Sequence, residues 1–410
     1  MRIEKIELRY LEGKLSEPFA WSQRWTDTRS VVNIKVFTDE GIIGWGETFG
    51  SLDTINSIAT ILSFAIGENP LFINKIWNKI YSATFQSHVF AKSAVFGMSA
   101  LDTALHDISG KFHKVPVHQI LGGKFRDSIA VYATCLYYTD NYSLDPLIKE
   151  AEDLSNDGYT GMKMKIGALS LLEDSIRVKE VKNAIGDNIR LMFDANEAYD
   201  SSNALEFLKL VKDVNLEWFE EPCASRDDRS NKYVQRNSHI PISGGESLHT
   251  RWDFVPRMTD RIFDIFQPDI CAVGGISEMY KVGIMAQSMG VKFNPHFWGT
   301  GISFAAALHA LSVQPLSQIS MNNIPYENES VLECDRTPHP VRENLTNDLF
   351  IHIYSRIKVP DGYGLGIEVD EKALSDYTVG SMITISNKSD GQRIFSVSYT
   401  HLTLPTILLV

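Results

Sequence analysis

GMKMKIG (residues 161–167), IRLMFDAN (189–196), LEWFEEP (216–222) and IPISGGES (240–247) follow one another at nearly even spacing, each a short apolar run ending in polar side chains. FDIFQPDIC (263–271) and VKFNPHFW (291–298) continue the series, SIAVYATC (128–135) precedes it, and a less regular eighth run lies within 318–334. The ionisable markers Lys165, Asp194, Glu220, Glu246, Asp269 and His296 are 29, 26, 26, 23 and 27 residues apart. A strand, a return helix and two loops use about that much chain, and regular strand–helix alternation implies a parallel sheet. Eight such units close into a (β/α)8-type TIM barrel, whose strand C-termini converge on one mouth. Charges in step with the strand period therefore predict one shared site.

Working outward, residues 1–11 and 31–37 read as short strands, with Val31, Val32, Ile34 and Val36 carrying β-branched character. A turn at Asp39–Gly41 and a further strand in GIIGWGE follow; residues 54–121 read as helical, with Ala94, Met98, Leu101, Leu105 and Ile108 on one face. The chain thus divides into an N-terminal α+β capping domain (1–125), the α/β barrel (126–340) and a loop-rich segment folding back on the cap (341–385). Residues 386–410, ending in FSVSYTHLTLPTILLV, are expected to be a non-native tail like the translated adapters of metagenomic assemblies.

At 410 residues, 44% apolar and 22% charged, the chain can build a large core. Its net charge of −12 argues against nucleic acid or an anionic membrane as partner, though not against a small anion drawn to local lysines or a metal. Cys135, Cys223, Cys271 and Cys334 form no Cys-x-x-Cys pair and read as reduced thiols. No run approaches the about 20 apolar residues of a membrane span, and MRIEKIELRYLEGK has no signal-peptide pattern; a cytoplasmic location is expected.

Asp194, Glu220 and Glu246 end three successive strands. Three hard oxygen donors suit an octahedral divalent cation, Mg2+ by default and Mn2+ as the alternative, whereas zinc would favour His or Cys. In a strand alternate residues share a face, so Lys163 and Lys165 both point into the mouth. Their mutual repulsion and a nearby cation would lower a lysine pKa and make a general base; the simpler alternative is a pair bridging the acids. Asp269 and His296 end adjacent strands, where a carboxylate can fix the imidazole tautomer and give a second base. Together these groups suit removal of a proton α to a carboxylate and stabilisation of the resulting enediolate.

KMKIG, FDAN, WFEEP, GGES, PDICAVGGISE and NPHFWGTGI, with SALDTALHDISGK and VPVHQILGG before the barrel, resemble the enolase superfamily, specifically its mandelate racemase subgroup, over about residues 1–380. The resemblance implies Asp194, Glu220 (not Glu221) and Glu246 as magnesium ligands and Lys165 as one base. It implies Lys163 beside the substrate carboxylate, and His296, oriented by Asp269, as the opposite base or acid. It also implies Asn196 near metal and substrate, and Glu333 hydrogen-bonding the enediolate, with Glu327 and Glu329 as competitors. The cap loop EPFAWSQRWTDTR (17–29) and the stretch after Gly46–Glu47 are the candidate substrate-reading loops; Trp21, Ser22, Arg24, Trp25 and His249 are candidate substrate contacts, surface and lid packing being the alternative for the cap residues. The motifs are most similar to galactarolactone cycloisomerase-like and acid-sugar dehydratase members. This implies β-elimination on a sugar acid or its lactone, a racemase being a third option, and a homo-oligomer. A non-catalytic barrel would be expected to lose some strand-end charges, and none is missing.

Overall fold

The computed structural model describes residues 1–85, 91–139, 142–316, 321–387 and 393–399. The barrel strands are β4 (Ser128–Thr134), β5 (Gly161–Lys165), β6 (Arg190–Asp194), β7 (Phe219–Glu220), β8 (Ile242–Gly244), β9 (Ile265–Phe266), β10 (Lys292–Phe293) and β11 (Val331–Asp335). They lie parallel in the order β10-β9-β8-β7-β6-β5-β4-β11. Glu333 N donates to Pro295 O at 3.3 Å, tying β11 back to the segment after β10 and closing the ring. Helices α5 (Leu144–Asn156), α6 (Leu171–Ile185), α7 (Ser201–Leu210), α8 (Asp228–Asn237), α9 (Thr250–Asp260), α10 (Ile276–Met289) and α11 (Gly301–Ser312) return between strands. Outward residues such as Met162, Met164, Leu191 and Phe193 join helix residues such as Val178 and Phe207 in one core. The alternation leaves Lys163, Lys165 and Asp194 facing the mouth, and the register sets Lys165 opposite Asp194 and Asp194 opposite Glu220.

The N-terminal unit carries β1 (Ile3–Trp21), β2 (Arg24–Thr38) and β3 (Ile43–Thr48), then α1 (Ile55–Leu62), α2 (Ile73–Phe85), α3 (Ala91–His113) and α4 (Val117–Ile120). The predicted short strands are in fact one long hairpin. Trp21 pairs with Arg24 at its tip, and a register shift between Lys14 and Phe19 turns the outer half. The strands run past the expected 1–11 and 31–37, an extent hidden in sequence because this irregularity breaks the alternation in the outer half. Ala94, Met98, Leu101, Leu105 and Ile108 sit in the separate cap core. Gly44 and Gly46 let β3 lie directly on α3: a Cβ would stand 2.3 Å from Ala104 O and 2.0 Å from Ala100 O, respectively.

After the barrel come α12 (Pro340–Leu345), β12 (Arg356–Lys358), α13 (Glu371–Asp376), β13 (Ser381–Asn387) and β14 (Arg393–Tyr399). β12 pairs with β4 of the barrel, whereas β13 joins β1 of the cap sheet and pairs in turn with β14. The segment read as a non-native tail therefore contains the end of β13 and the strand β14; residues 400–410 lie outside the described residues. Among the described residues no helix is long and apolar enough to cross a membrane.

Candidate active site

Asp194, Glu220 and Glu246 each bring a carboxylate oxygen within 4.8 Å of the others, at the ends of β6 and β7 and just beyond β8. Asp194 is held by a tight curl: Asn196 and Glu197 adopt φ +45° and +67°, and Asn196 N donates to Asp194 Oδ1 at 2.7 Å. Glu220 Oε2 accepts from Gln267 Nε2 at 2.5 Å and Trp218 Nε1 at 3.3 Å. Among the described residues Glu246 Oε2 has no hydrogen-bond donor, but it lies 3.3 Å from His296 Nε2.

The lysines complete this layer. Lys165 Nζ donates to Asp194 Oδ2 at 2.5 Å. Lys163 pairs with Glu220, lies 2.9 Å from Glu333 and 3.6 Å from Asp194, and is fully buried. The expected lowering of the lysine pKa is not found at Lys163. Burial pulls it down, yet Glu220, Glu333 and Asp194 outweigh that and hold it well above the ordinary range. Repulsion between two ammonium groups is a small effect beside so many carboxylates.

Opposite stands the imidazole. His296 Nδ1 donates to Asp269 Oδ2 at 2.7 Å, leaving Nε2 toward the mouth. Asp269 is fixed by Cys271 N, 2.6 Å from its Oδ1. Burial lowers the His296 pKa, but Glu246, Glu333 and Asp269 push it up to about 10. Glu333 accepts from Thr134 Oγ1 and from Phe297 N at 3.3 Å; burial would raise its pKa, but Lys163, His296 and Lys165 hold it down. Its competitors face elsewhere: Glu329 pairs with Arg356 at 2.7 Å, and Glu327 is exposed.

The donor set fits a divalent cation. Burial and neighbouring acids push Glu220 up to about 7 and Glu221 well above its ordinary value, signs of crowded negative charge. Taking Asp194, Glu220, Glu246, Glu333 and Asp269 as ionised, they face two lysines and one protonated imidazole. The excess of two negative charges is what Mg2+ or Mn2+ would balance, and all three candidate ligands offer hard oxygen.

A 280 Å³ cavity opens on this layer, lined by Lys165, Asn196, Glu246 and His296 from the barrel, and by Trp21 and Arg24 from the hairpin tip. Phe49, Tyr137 and Trp298 complete its wall; none was singled out by itself, although Phe49 lies in the candidate cap loop after Gly46–Glu47 and Trp298 two residues after His296 in a motif already singled out. Ser22, Trp25 and His249 stand off it. Ser22 Cβ would lie 3.1 Å from a Cβ on Gly167. Trp25 is 41% exposed against Tyr142, and His249 bonds Ala272 O through Nδ1 at 2.9 Å.

Residues 5–122 match the mandelate racemase / muconate lactonizing enzyme N-terminal domain, and residues 146–373 the enolase C-terminal domain-like family. The chain belongs to this family of the enolase superfamily. It is 32% identical to D-galactarolactone cycloisomerase of Agrobacterium fabrum (strain C58 / ATCC 33970), over 92% of this chain and 99% of that protein. It superposes on the 3,6-anhydro-D-galactonate cycloisomerase from Zobellia galactanivorans with TM-score 0.82 at 32% identity, covering 92% and 100% of the two chains. An L-talarate/galactarate dehydratase mutant liganded with Mg and L-glucarate gives TM-score 0.80 at 26% identity, covering 93% of each chain. Membership in this family makes the protein an enzyme of lyase or isomerase type.

Proposed function

We propose that this enzyme abstracts the proton α to the carboxylate of a sugar-acid lactone and eliminates the ring oxygen β to it, a cycloisomerisation. The observation that carries this reading is that Lys165 and the Asp269-backed His296 open on one small cavity beside three clustered carboxylates. Its 280 Å³ suits a small polar ligand. Two relatives at 32% identity are named cycloisomerases, one of a lactone and one of an anhydro-sugar acid; both names favour elimination of a ring oxygen, and the first favours the lactone.

In this reading Lys165 Nζ takes the α-proton and the C–H electron pair becomes the enediolate. Lys163, 2.9 Å from Glu333, would offer its positive charge to the substrate carboxylate, and Glu333 would hydrogen-bond the enediolate once it carries a proton. The C–O bond at the β-carbon then breaks, and His296 Nε2 protonates the departing oxygen. The enol product returns a proton to carbon as it becomes the 2-keto acid, so a lactone is isomerised with no atom gained or lost. Asp194, Glu220 and Glu246 would hold the Mg2+ or Mn2+, which when bound supplies positive charge to the substrate carboxylate and competes with the lysines for Asp194 and Glu220. Arg24, whose guanidinium lies 4.9 Å over the Trp21 ring, would face the distal end of the substrate.

A dehydratase is the second reading, favoured by the solved dehydratase with L-glucarate. It needs the same residues and differs in expelling water from the open acid. Proton NMR in heavy water, with Mg2+ and a panel of aldonic and aldaric acids and their lactones, separates the two. Turnover of lactones alone supports cycloisomerisation, and turnover of open acids alone supports dehydration. Deuterium at the α-carbon without elimination would point to racemisation, and silence across the panel would remove the substrate class.

A further inference from the structure

The capping domain sends two buried carboxylates into the barrel, and both land behind the histidine. Glu47, on β3 and 1% exposed, accepts from Thr300 N at 2.7 Å, from Ser303 Oγ at 2.5 Å and from Thr300 Oγ1. These groups open α11, which follows the strand end carrying His296. Asp102, on α3 and 2% exposed, accepts from Ser277 N at 2.8 Å and Ser277 Oγ at 2.6 Å, in the first turn of α10. That helix follows the loop carrying Asp269. Further bonds tie the same loop to the cap: Thr48 Oγ1 to Cys271 O at 2.7 Å, Gly274 N to Ser99 Oγ at 2.9 Å and Trp77 Nε1 to Gly274 O at 3.0 Å.

A carboxylate at a helix start satisfies N–H groups that have no partner within the helix and meets the positive end of the helix dipole. Here both acids come from the other domain, so each helix start is complete only when the cap is in place. The close fit of β3 on α3 through Gly44 and Gly46 fixes both at once. His296 lies four residues before Thr300, and Asp269 eight before Ser277. A shift of either helix start would move the imidazole relative to its carboxylate.

We propose that Glu47 and Asp102 are positioning residues for the Asp269–His296 pair, so that the cap sets the geometry of the proton-donating half of the reaction while leaving Lys165 unaffected. This rests on the assignment of Lys165 and His296 to separate proton transfers. Glu47→Gln keeps the size and one acceptor while losing the charge; Glu47→Ala removes every contact, and Asp102→Asn tests the second acid. Product formation is expected to slow about tenfold in E47Q and about 10²-fold in E47A, where an error of about 1 Å would have that cost. α-Proton exchange into heavy water should change less than about twofold, and E47Q should retain more product formation than E47A.

Amide hydrogen exchange gives a reading that needs no substrate. In E47Q, uptake should rise over residues 294–303, and in D102N over 269–277, with 161–167 and 190–196 unchanged. Equal rises around the whole mouth, no rise anywhere, or proportional loss of exchange and product formation would overturn the proposal. If no compound in the panel is turned over, the sugar-acid reading falls, while the amide result still decides this one.

Discussion

The two sides of the barrel mouth are built in opposite ways. Behind His296 the cap is anchored by buried carboxylates and a dense set of side-chain bonds. Over Lys165 it arrives as the tip of a hairpin: Ala20 and Tyr138 exchange backbone bonds at 2.9 and 3.0 Å, and Gln23 Nε2 reaches Asn196 O at 2.5 Å from an exposed position. Between the two sides Trp298 meets Trp21 and Phe19 edge-on and carries Arg29 3.7 Å over its face. The cap is therefore a fixed foundation on one side and a reading edge on the other, and only the second is placed to follow the shape of a ligand.

The comparison breaks most sharply at the bases themselves. Lys165→Ala should remove both α-proton exchange and product formation, by about 10³-fold or more, whereas His296→Asn should lose product formation and keep exchange. Deuterium incorporation beside product yield reads both, and identical behaviour of the variants would erase the distinction between the sides. Chelation should abolish turnover, with recovery on adding Mg2+, and the metal should raise the melting temperature by relieving carboxylate crowding; full activity after exhaustive chelation would remove the cation from the site.

Next in size is the seam itself. Arg29 of the hairpin and Arg342 of α12 both grip Asp335, at 2.8 and 2.6 Å, and the carboxyl is held well below its usual range by the two guanidinium groups despite burial. Arg29→Ala should cost about 3–5 kcal/mol in chemical denaturation by leaving Asp335 under-compensated, and a cost near zero would show that the cap is not fastened there.

Smaller per pH unit is a pH dependence remote from the mouth. His309 in α11 bonds Leu365 O at 3.1 Å, and burial lowers its pKa to about 3. Between about 6.5 and 3 the unfolded chain takes up a proton that the folded protein refuses. The stability present above pH 6.5 should thus fall as pH drops toward 3, by at most about 1.4 kcal/mol per unit from this residue. His309→Gln should flatten that part of the profile, and an unchanged slope would place the acid sensitivity elsewhere.

How much of this could be read from the sequence follows from the distance over which each feature is encoded. The strand ends were legible because one period of about 26 residues repeats along the chain, carrying Asp194, Glu220 and Glu246 with it. The lysine faces were legible from two-residue alternation alone. The direction of the Lys163 shift was not, since it depends on counting acids that come from several strands. Tyr137 and Trp298 escaped, and Phe49 was caught only as part of a loop, because an aromatic residue in a cavity wall has the same local pattern as one in the core. Glu47 and Asp102 were hidden for a different reason: their partners are 253 and 175 residues away.

The hairpin tip has a consequence for anyone wishing to redirect this enzyme. Trp21 and Arg24 reach the cavity from a two-stranded ribbon whose inner register, from Lys5 opposite Phe37 to Lys14 opposite Thr28, is complete before the tip begins. The five residues from Trp21 to Trp25 are therefore the segment to exchange: a new tip of the same length could be grafted there to screen for new substrates, with the foundation behind His296 left as it is.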